Sequence, residues 1–185
     1  VSAFARSVEA AAARYGQPRL ITQRLDSLAF PPVSERIYGE VCMAIRRRSG
    51  AFLLQTKRTY PESIMRLPTG GIRKEEFLEA ALRREIWEET NLEVEITCFV
   101  ADIAYADPQR AARFRTYMFL CDEVSGVLQS NDPKEQISDW TEAPLEELPG
   151  YAEKLREMKP SWARWGVFRA AALDILVEHC RNAVR

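Results

Sequence analysis

A chain of 185 residues with 46% apolar content is long enough to bury one substantial core but too short for two full domains. Its 26 basic and 27 acidic residues are interspersed and nearly cancel, so there is no overall pull toward nucleic acid or an anionic membrane, and any nucleotide recognition must be local. No apolar run approaches the roughly 20 residues a spanning helix needs, the start lacks a signal-peptide pattern, and Cys42, Cys98, Cys121 and Cys180 form no CxxC pair; a reduced, cytoplasmic protein is expected.

Phe4, Val8, Ala11 and Tyr15 recur at helical spacing until Gly16, Gln17 and Pro18 stop the pattern. Residues 3–15 are therefore expected to form an amphipathic helix that packs on a sheet or a partner subunit. From Ile37 to Ile45 apolar side chains alternate, Arg46 to Gly50 turns, and Ala51 to Gln55 runs apolar again, the pattern of a strand hairpin. After a loop containing Pro61 comes a glycine-bearing loop, Leu67-Pro68-Thr69-Gly70-Gly71, and Glu76 to Thr90 then has helical periodicity with an unusual load of glutamate. Val94 to Ala104, Arg113 to Asp122 and the short Gln136 to Thr141 read as strands. Leu145 to Met158 and Trp162 to Cys180 read as helices, the second presenting Trp165, Phe168, Ala172 and Leu176 on one face. This order predicts an α+β fold, a mixed sheet with helices on both faces.

Glu85, Glu88 and Glu89 are spaced i, i+3 and i+4, which places three carboxylates within an arc of about 100°. Leu78, Ala81 and Leu82 share that arc, so the stripe that should be buried turns acidic in its second half. Like charges at this spacing repel, and acid near a helix C-terminus faces the negative end of the dipole. A bound cation removes both objections, and an all-oxygen donor set suits a hard ion such as magnesium. Acidic clusters on helices are more often a solvated face, and a Gly-Gly pair is more often a turn. The two features in succession shift that balance, because Gly70 and Gly71 permit a close approach that a side chain would block.

The stretch Gly70 to Leu92 resembles the Nudix box: glycine, five free positions, glutamate, seven free, arginine-glutamate-aliphatic, one free, glutamate-glutamate, one free, glycine-aliphatic. The matching residues are Gly70, Glu76, Arg84, Glu85, Ile86, Glu88, Glu89 and Leu92. Asn91 stands where the pattern has its second glycine; asparagine tolerates the left-handed helix cap best after glycine, so the loop-helix-loop is expected to persist. The resemblance implies a Nudix fold, a mixed sheet between helices, in one domain over residues 1–185. Its core would span about 37–148, with a helical extension at 1–20 and C-terminal helices at 145–182.

By the same resemblance, Glu85 and Glu89 are the principal metal ligands, with Glu88 ligating directly or through water. Arg84 orients these acids, Glu76 helps fix the loop, and Glu135 is the candidate further acid, as ligand or base. The implied cofactor is Mg2+, with Mn2+ as the alternative. The implied reaction is attack of water on one phosphorus of the diphosphate bridge in a nucleoside diphosphate joined to another group. Arg113 and Arg115, two apart in a strand, could clamp a phosphate, as could Lys57 and Arg58 at the end of the upstream strand. Pro108 lies sixteen residues after Leu92, a spacing similar to that of ADP-ribose-cleaving members. A nucleoside triphosphate pyrophosphohydrolase, a non-catalytic nucleotide-binding module and an isopentenyl diphosphate isomerase are the alternatives. The expected partner is a small-molecule nucleotide, with no nucleic acid polymer and no membrane. The terminal helices have apolar faces suited to completing a homodimer.

Overall fold

The computed structural model describes residues 2–24, 39–106 and 113–183. Helix α1 (Ala3–Tyr15) opens on Ser2, whose side chain accepts the Ala5 amide. The remaining elements are β1 (Arg19–Arg24), β2 (Glu40–Arg46), β3 (Phe52–Lys57), β4 (Thr69–Gly71), α2 (Leu78–Thr90), β5 (Leu92–Ala106), β6 (Arg113–Gly126), β7 (Ile137–Ala143), α3 (Leu148–Arg156) and α4 (Ala163–Ala183). Single 3-10 turns at Pro133–Glu135 and Leu145–Glu147 precede β7 and α3.

The strands form one mixed sheet in the order β1-β5-β6-β2-β3-β7, with β4 paired to β2. β1 runs parallel to β5 and β2 parallel to β6, while the other pairs are antiparallel. Alternation along β2 separates two cores. Val41, Met43 and Ile45 pack with residues of α1 and α2, whereas Cys42 and Ala44 pack with residues of α3 and α4. Both faces of this central strand are thus covered, which is why Val41 to Ile45 are apolar without a break rather than alternating as expected. Among the described residues no helix is long and apolar enough to cross a membrane.

The expected helix at residues 3–15 is found with those bounds, and the mixed sheet between helices is confirmed. The expected β2 strand began at Ile37, which lies outside the described residues. Two strands escape sequence reading. β1 is short and at the sheet edge, with Leu20 exposed, so its alternation is weak. β4 lies inside the glycine-bearing stretch, where backbone pairing to Glu40, Val41 and Cys42 takes over from turn chemistry.

Helix α2 begins at Leu78 rather than Glu76, because Glu76 is held in the preceding turn, its carboxylate accepting the Arg73 amide at 3.0 Å. Phe77 offers no capping side chain, and the Leu78 amide instead donates to Ser7 Oγ of α1 at 3.1 Å. The N-terminal helix therefore completes the start of α2. At the other end Asn91 adopts φ 56 and ψ 22, the left-handed cap anticipated for it, and its side chain donates to the Val127 carbonyl.

Candidate active site

Gly70 in β4 sits directly against α2: a Cβ built there would lie 1.8 Å from Glu85 Cδ. Only glycine allows β4 to pass this close to the acid. Glu85 and Glu89 lie one turn apart on the buried side of α2, at 4% and 0% relative exposure. Glu88 projects toward the loop side, where Arg73 and Arg84 both donate to it.

Arg84 ties the site together. Its Nε and Nη2 donate to the two carboxylate oxygens of Glu76 at 2.7 Å each, and Nη2 also donates to the Gly71 carbonyl at 2.9 Å. Its Nη1 donates to Glu85 at 2.6 Å and to Glu88 at 2.8 Å. A planar fork of donors is required to serve the loop and three acids at once. Although burial works against its charge, hydrogen bonds to Glu76, Glu85 and Glu88 hold the guanidinium firmly protonated. Burial also opposes ionisation of Glu76, but Arg84 and Arg73 bring its pKa below the usual value.

Glu89 is positioned from the sheet. Gln55 Nε2 of β3 donates to its Oε2 at 2.8 Å. Lys57, two residues on and facing the same side, brings Nζ to 3.2 Å from Glu89 Oε1 and 2.5 Å from Glu135 Oε2. The Lys57–Glu89 contact is an ion pair without hydrogen-bond alignment, so Glu89 Oε1 has no donor among the described residues. Arg66, buried at 2% exposure, contributes positive charge beside Glu89 while donating to the Leu67 carbonyl, Thr69 Oγ1 and Tyr60 Oη. Glu135 arrives on the 3-10 turn before β7. That loop is fastened to the open end of α2, with the Gln129 amide donating to the Thr90 carbonyl and the Asn131 amide to the Glu88 carbonyl.

Burial dominates the titration of the two inner acids. It pushes Glu85 up to about 7, assisted by the charges of Glu89 and Glu135 and opposed by Arg84. Burial likewise raises Glu89, against Arg66, Lys57 and Gln55. Glu85 Oε2 and Glu89 Oε1 are both buried without a hydrogen-bond partner. Two orphaned carboxylate oxygens on adjacent turns fit a hard divalent cation, which is bound by oxygen. Among the described residues, no three acids are already gathered at ligating distances.

Of the residues singled out in the sequence, Glu76, Arg84, Glu85, Glu88, Glu89, Gly70, Gly71, Lys57 and Glu135 come together. Arg58 follows Lys57 on the exposed side, its amide donating to the Gln136 carbonyl. Arg115 is committed to Asp102 through two hydrogen bonds of 2.8 and 2.9 Å. Arg113 begins β6, its side chain outside the description, and Pro108 lies outside the described residues. Gln55 and Arg66 were not singled out, although a polar residue closing the apolar run Phe52 to Leu54, and an arginine directly before Leu67-Pro68, were the available signals.

The NUDIX domain family model matches residues 39–165. No curated protein gives a significant match. Solved structures share the fold. A MutT NUDIX hydrolase from Burkholderia pseudomallei is 22% identical at TM-score 0.54, covering 77% of this chain and 99% of its own. An ADP-ribose pyrophosphatase from Streptococcus suis is 18% identical at TM-score 0.50, covering 77% of this chain and 90% of its own. A UDP-X diphosphatase is 15% identical at TM-score 0.55, covering 83% of this chain and 66% of its own.

Proposed function

The chain belongs to the NUDIX domain family of pyrophosphohydrolases, and we propose that it hydrolyses, with Mg2+ or Mn2+, the diphosphate bridge of a nucleoside diphosphate joined to a second group. The observation that carries this reading is the pair of buried acids, Glu85 and Glu89, each with an oxygen that accepts no hydrogen bond from the described residues. Those two residues, with Glu88 beside them, would hold the cation. When bound, it supplies charge neutralisation on the diphosphate and Lewis acidity for the displacement.

The chain's own groups supply the rest. Arg84 fixes Glu85 and Glu88 and keeps the loop at Gly71 in place. The Lys57 ammonium, between Glu89 and Glu135, is a cation that would meet a phosphate oxygen of the substrate. Glu135 is 27% exposed at its side chain, with Oε2 held by Lys57, and its carboxylate would serve as a further ligand or as the base for an attacking water. Proteins of this fold include one named an ADP-ribose pyrophosphatase and one named a UDP-X diphosphatase, which makes a diphosphate-linked nucleoside the first substrate class to test.

The test is incubation with Mg2+ or Mn2+ and a panel of ADP-ribose, other nucleoside diphosphate sugars, dinucleoside polyphosphates and nucleoside triphosphates, with products resolved by chromatography. Metal-dependent cleavage of the diphosphate-linked compounds, abolished by Glu89→Gln, is the expected result. Cleavage confined to triphosphates would replace this substrate class, and no turnover of any compound would overturn the hydrolase reading.

A further inference from the structure

The step from Glu76 to Leu78 joins the loop that Arg84 grips to the helix that carries the acids. Phe77, between them, is 57% exposed and offers no capping side chain. The turn before it is strained, because Glu75 has φ 67, in the left-handed region that favours glycine. Such a turn keeps one shape only when the structure around it holds it there. It is held where it enters, the Ile72 amide donating to the Gly39 carbonyl at 3.0 Å, and where it leaves, the Leu78 amide donating to Ser7 Oγ at 3.1 Å.

Ser7 is itself fixed. Helix α1 is docked on the sheet near both ends by edge-on ring contacts, Phe4 at 5.7 Å from Tyr117 and Tyr15 at 6.3 Å from Phe119, and Ala11 and Ala12 are buried along it. The Ser7 hydroxyl donates to the Phe4 carbonyl at 2.7 Å, so its hydrogen is committed and a lone pair is left for the Leu78 amide. That acceptor comes from outside residues 39–165, the stretch the family model matches. From Leu78 the route to the acids is short. Two residues back, the Glu76 carboxylate accepts from Arg84 through both oxygens at 2.7 Å, and Arg84 Nη1 reaches Glu85 at 2.6 Å and Glu88 at 2.8 Å.

We propose that Ser7 is a positioning residue for the acids of α2: by holding the exit of the turn at 73–76 it keeps Glu76 where it orients Arg84, and through Arg84 it keeps Glu85 and Glu88 in place. This rests on the reading of those acids as the groups that hold the cation. Helix α1, an addition to the family domain, then belongs to the site and is more than a packing element. The hydroxyl acts through the coupling of Glu76 to Arg84, so its effect disappears once that coupling is cut.

The test uses the intact protein and three variants. Ser7→Ala removes the acceptor, and Ser7→Thr restores it, the added methyl having room in the groove that Ser7 lines with Ala10 and Ala80. Ser2→Ala, which removes the cap of α1 itself, controls for a general loss of stability. Without metal, the Nε proton of Arg84 is followed by NMR; its exchange with water should quicken about fivefold in Ser7→Ala and stay within about twofold of wild type in Ser7→Thr and Ser2→Ala. By calorimetric titration Mn2+ should bind about fivefold more weakly to Ser7→Ala, whereas in a Glu76→Gln background the same change should add less than about twofold. Unchanged Arg84 exchange in Ser7→Ala, an equal response in Ser2→Ala, or full additivity with Glu76→Gln would overturn the role of Ser7. Failure of the wild-type protein to bind Mn2+ would instead strike the metal reading, and Arg84 exchange would still decide the positioning.

Discussion

Replacing Gly70 with alanine drives a methyl group into the carboxyl of Glu85. The added Cβ would stand 1.8 Å from Cδ, 2.0 Å from Oε2 and 2.2 Å from Cγ. Ordinary carbon contacts begin near 3.5 Å, so the carboxyl has to withdraw by about 1.7 Å. That shift carries it away from Arg84 Nη1, now at 2.6 Å, inside a pocket where Glu85 is 4% exposed. Overpacking of this kind costs about 1–3 kcal/mol, and a metal ligand displaced by far more than the ~0.2 Å tolerance of coordination distances no longer binds. Gly70→Ala should therefore still fold, melt several degrees lower, and bind Mn2+ at least about tenfold more weakly by calorimetric titration. Gly150→Ala is the matched control: nothing lies within 4 Å of a Cβ there, and the residue is inside α3, so its stability should rise slightly and its metal binding stay unchanged. Wild-type metal affinity in Gly70→Ala would refute the placement of Glu85 as a ligand.

Arg84→Lys keeps the charge but loses the fork that reaches Glu76, Glu85, Glu88 and the Gly71 carbonyl together; turnover should fall about 10–100-fold, and an unchanged kcat/KM would remove Arg84 from its orienting role. Far from the site, Glu123 accepts from Arg47 Nε at 2.6 Å, and that hydrogen bond is the main cause holding its carboxyl below the usual 4.5. A depressed carboxylate stabilises the fold above its unfolded pKa and loses that contribution as pH falls through its folded pKa. Glu123→Gln should accordingly cost about 1–2 kcal/mol at pH 7 by chemical denaturation, with the difference closing as pH falls through the depressed folded-state pKa; a pH-independent difference would contradict the ionic account.

The acidic half of the site was legible because its geometry is written in one helix: i, i+3, i+4 spacing puts Glu85, Glu88 and Glu89 together whatever surrounds them. Asn91 was legible for a similar reason, since only a few residue types accept the left-handed cap it adopts. Gln55 and Arg66 were not, because their meeting with Glu89 depends on strand pairing, including the Gln55–Arg66 bridge, that no local period encodes. Lys57 and Glu135 fall between these cases: each was a candidate alone, but their contact spans 78 residues and depends on β3 pairing with β7. Arg115 shows the converse, a residue on a suitable strand whose charge is engaged by Asp102 on the neighbouring strand.

Charge at the site is divided unevenly, and the division indicates what the arrangement is built to receive. Glu76 is matched by Arg84, and Glu88 by Arg84 and Arg73, so Glu88 would be the lesser of the three acids in holding a cation. Glu85 and Glu89 are more deeply buried, raised in pKa by that burial, and each keeps an oxygen without a donor. Holding two carboxylates out of water costs several kcal/mol apiece unless each is fully paired. Folding alone would replace such a pair with apolar residues, as it does at Leu78, Ala81 and Leu82 on the same face of the helix. The cost is instead borne by a rigid frame: Gly70 below, Arg84 and Gln55 to the sides, and Ser7 of α1 at the helix start. A divalent cation would offset the cost on both acids at once and turn the patch from repelling a diphosphate to attracting it. The orphaned oxygens therefore mark where binding energy enters, and the paired acids mark what keeps them still.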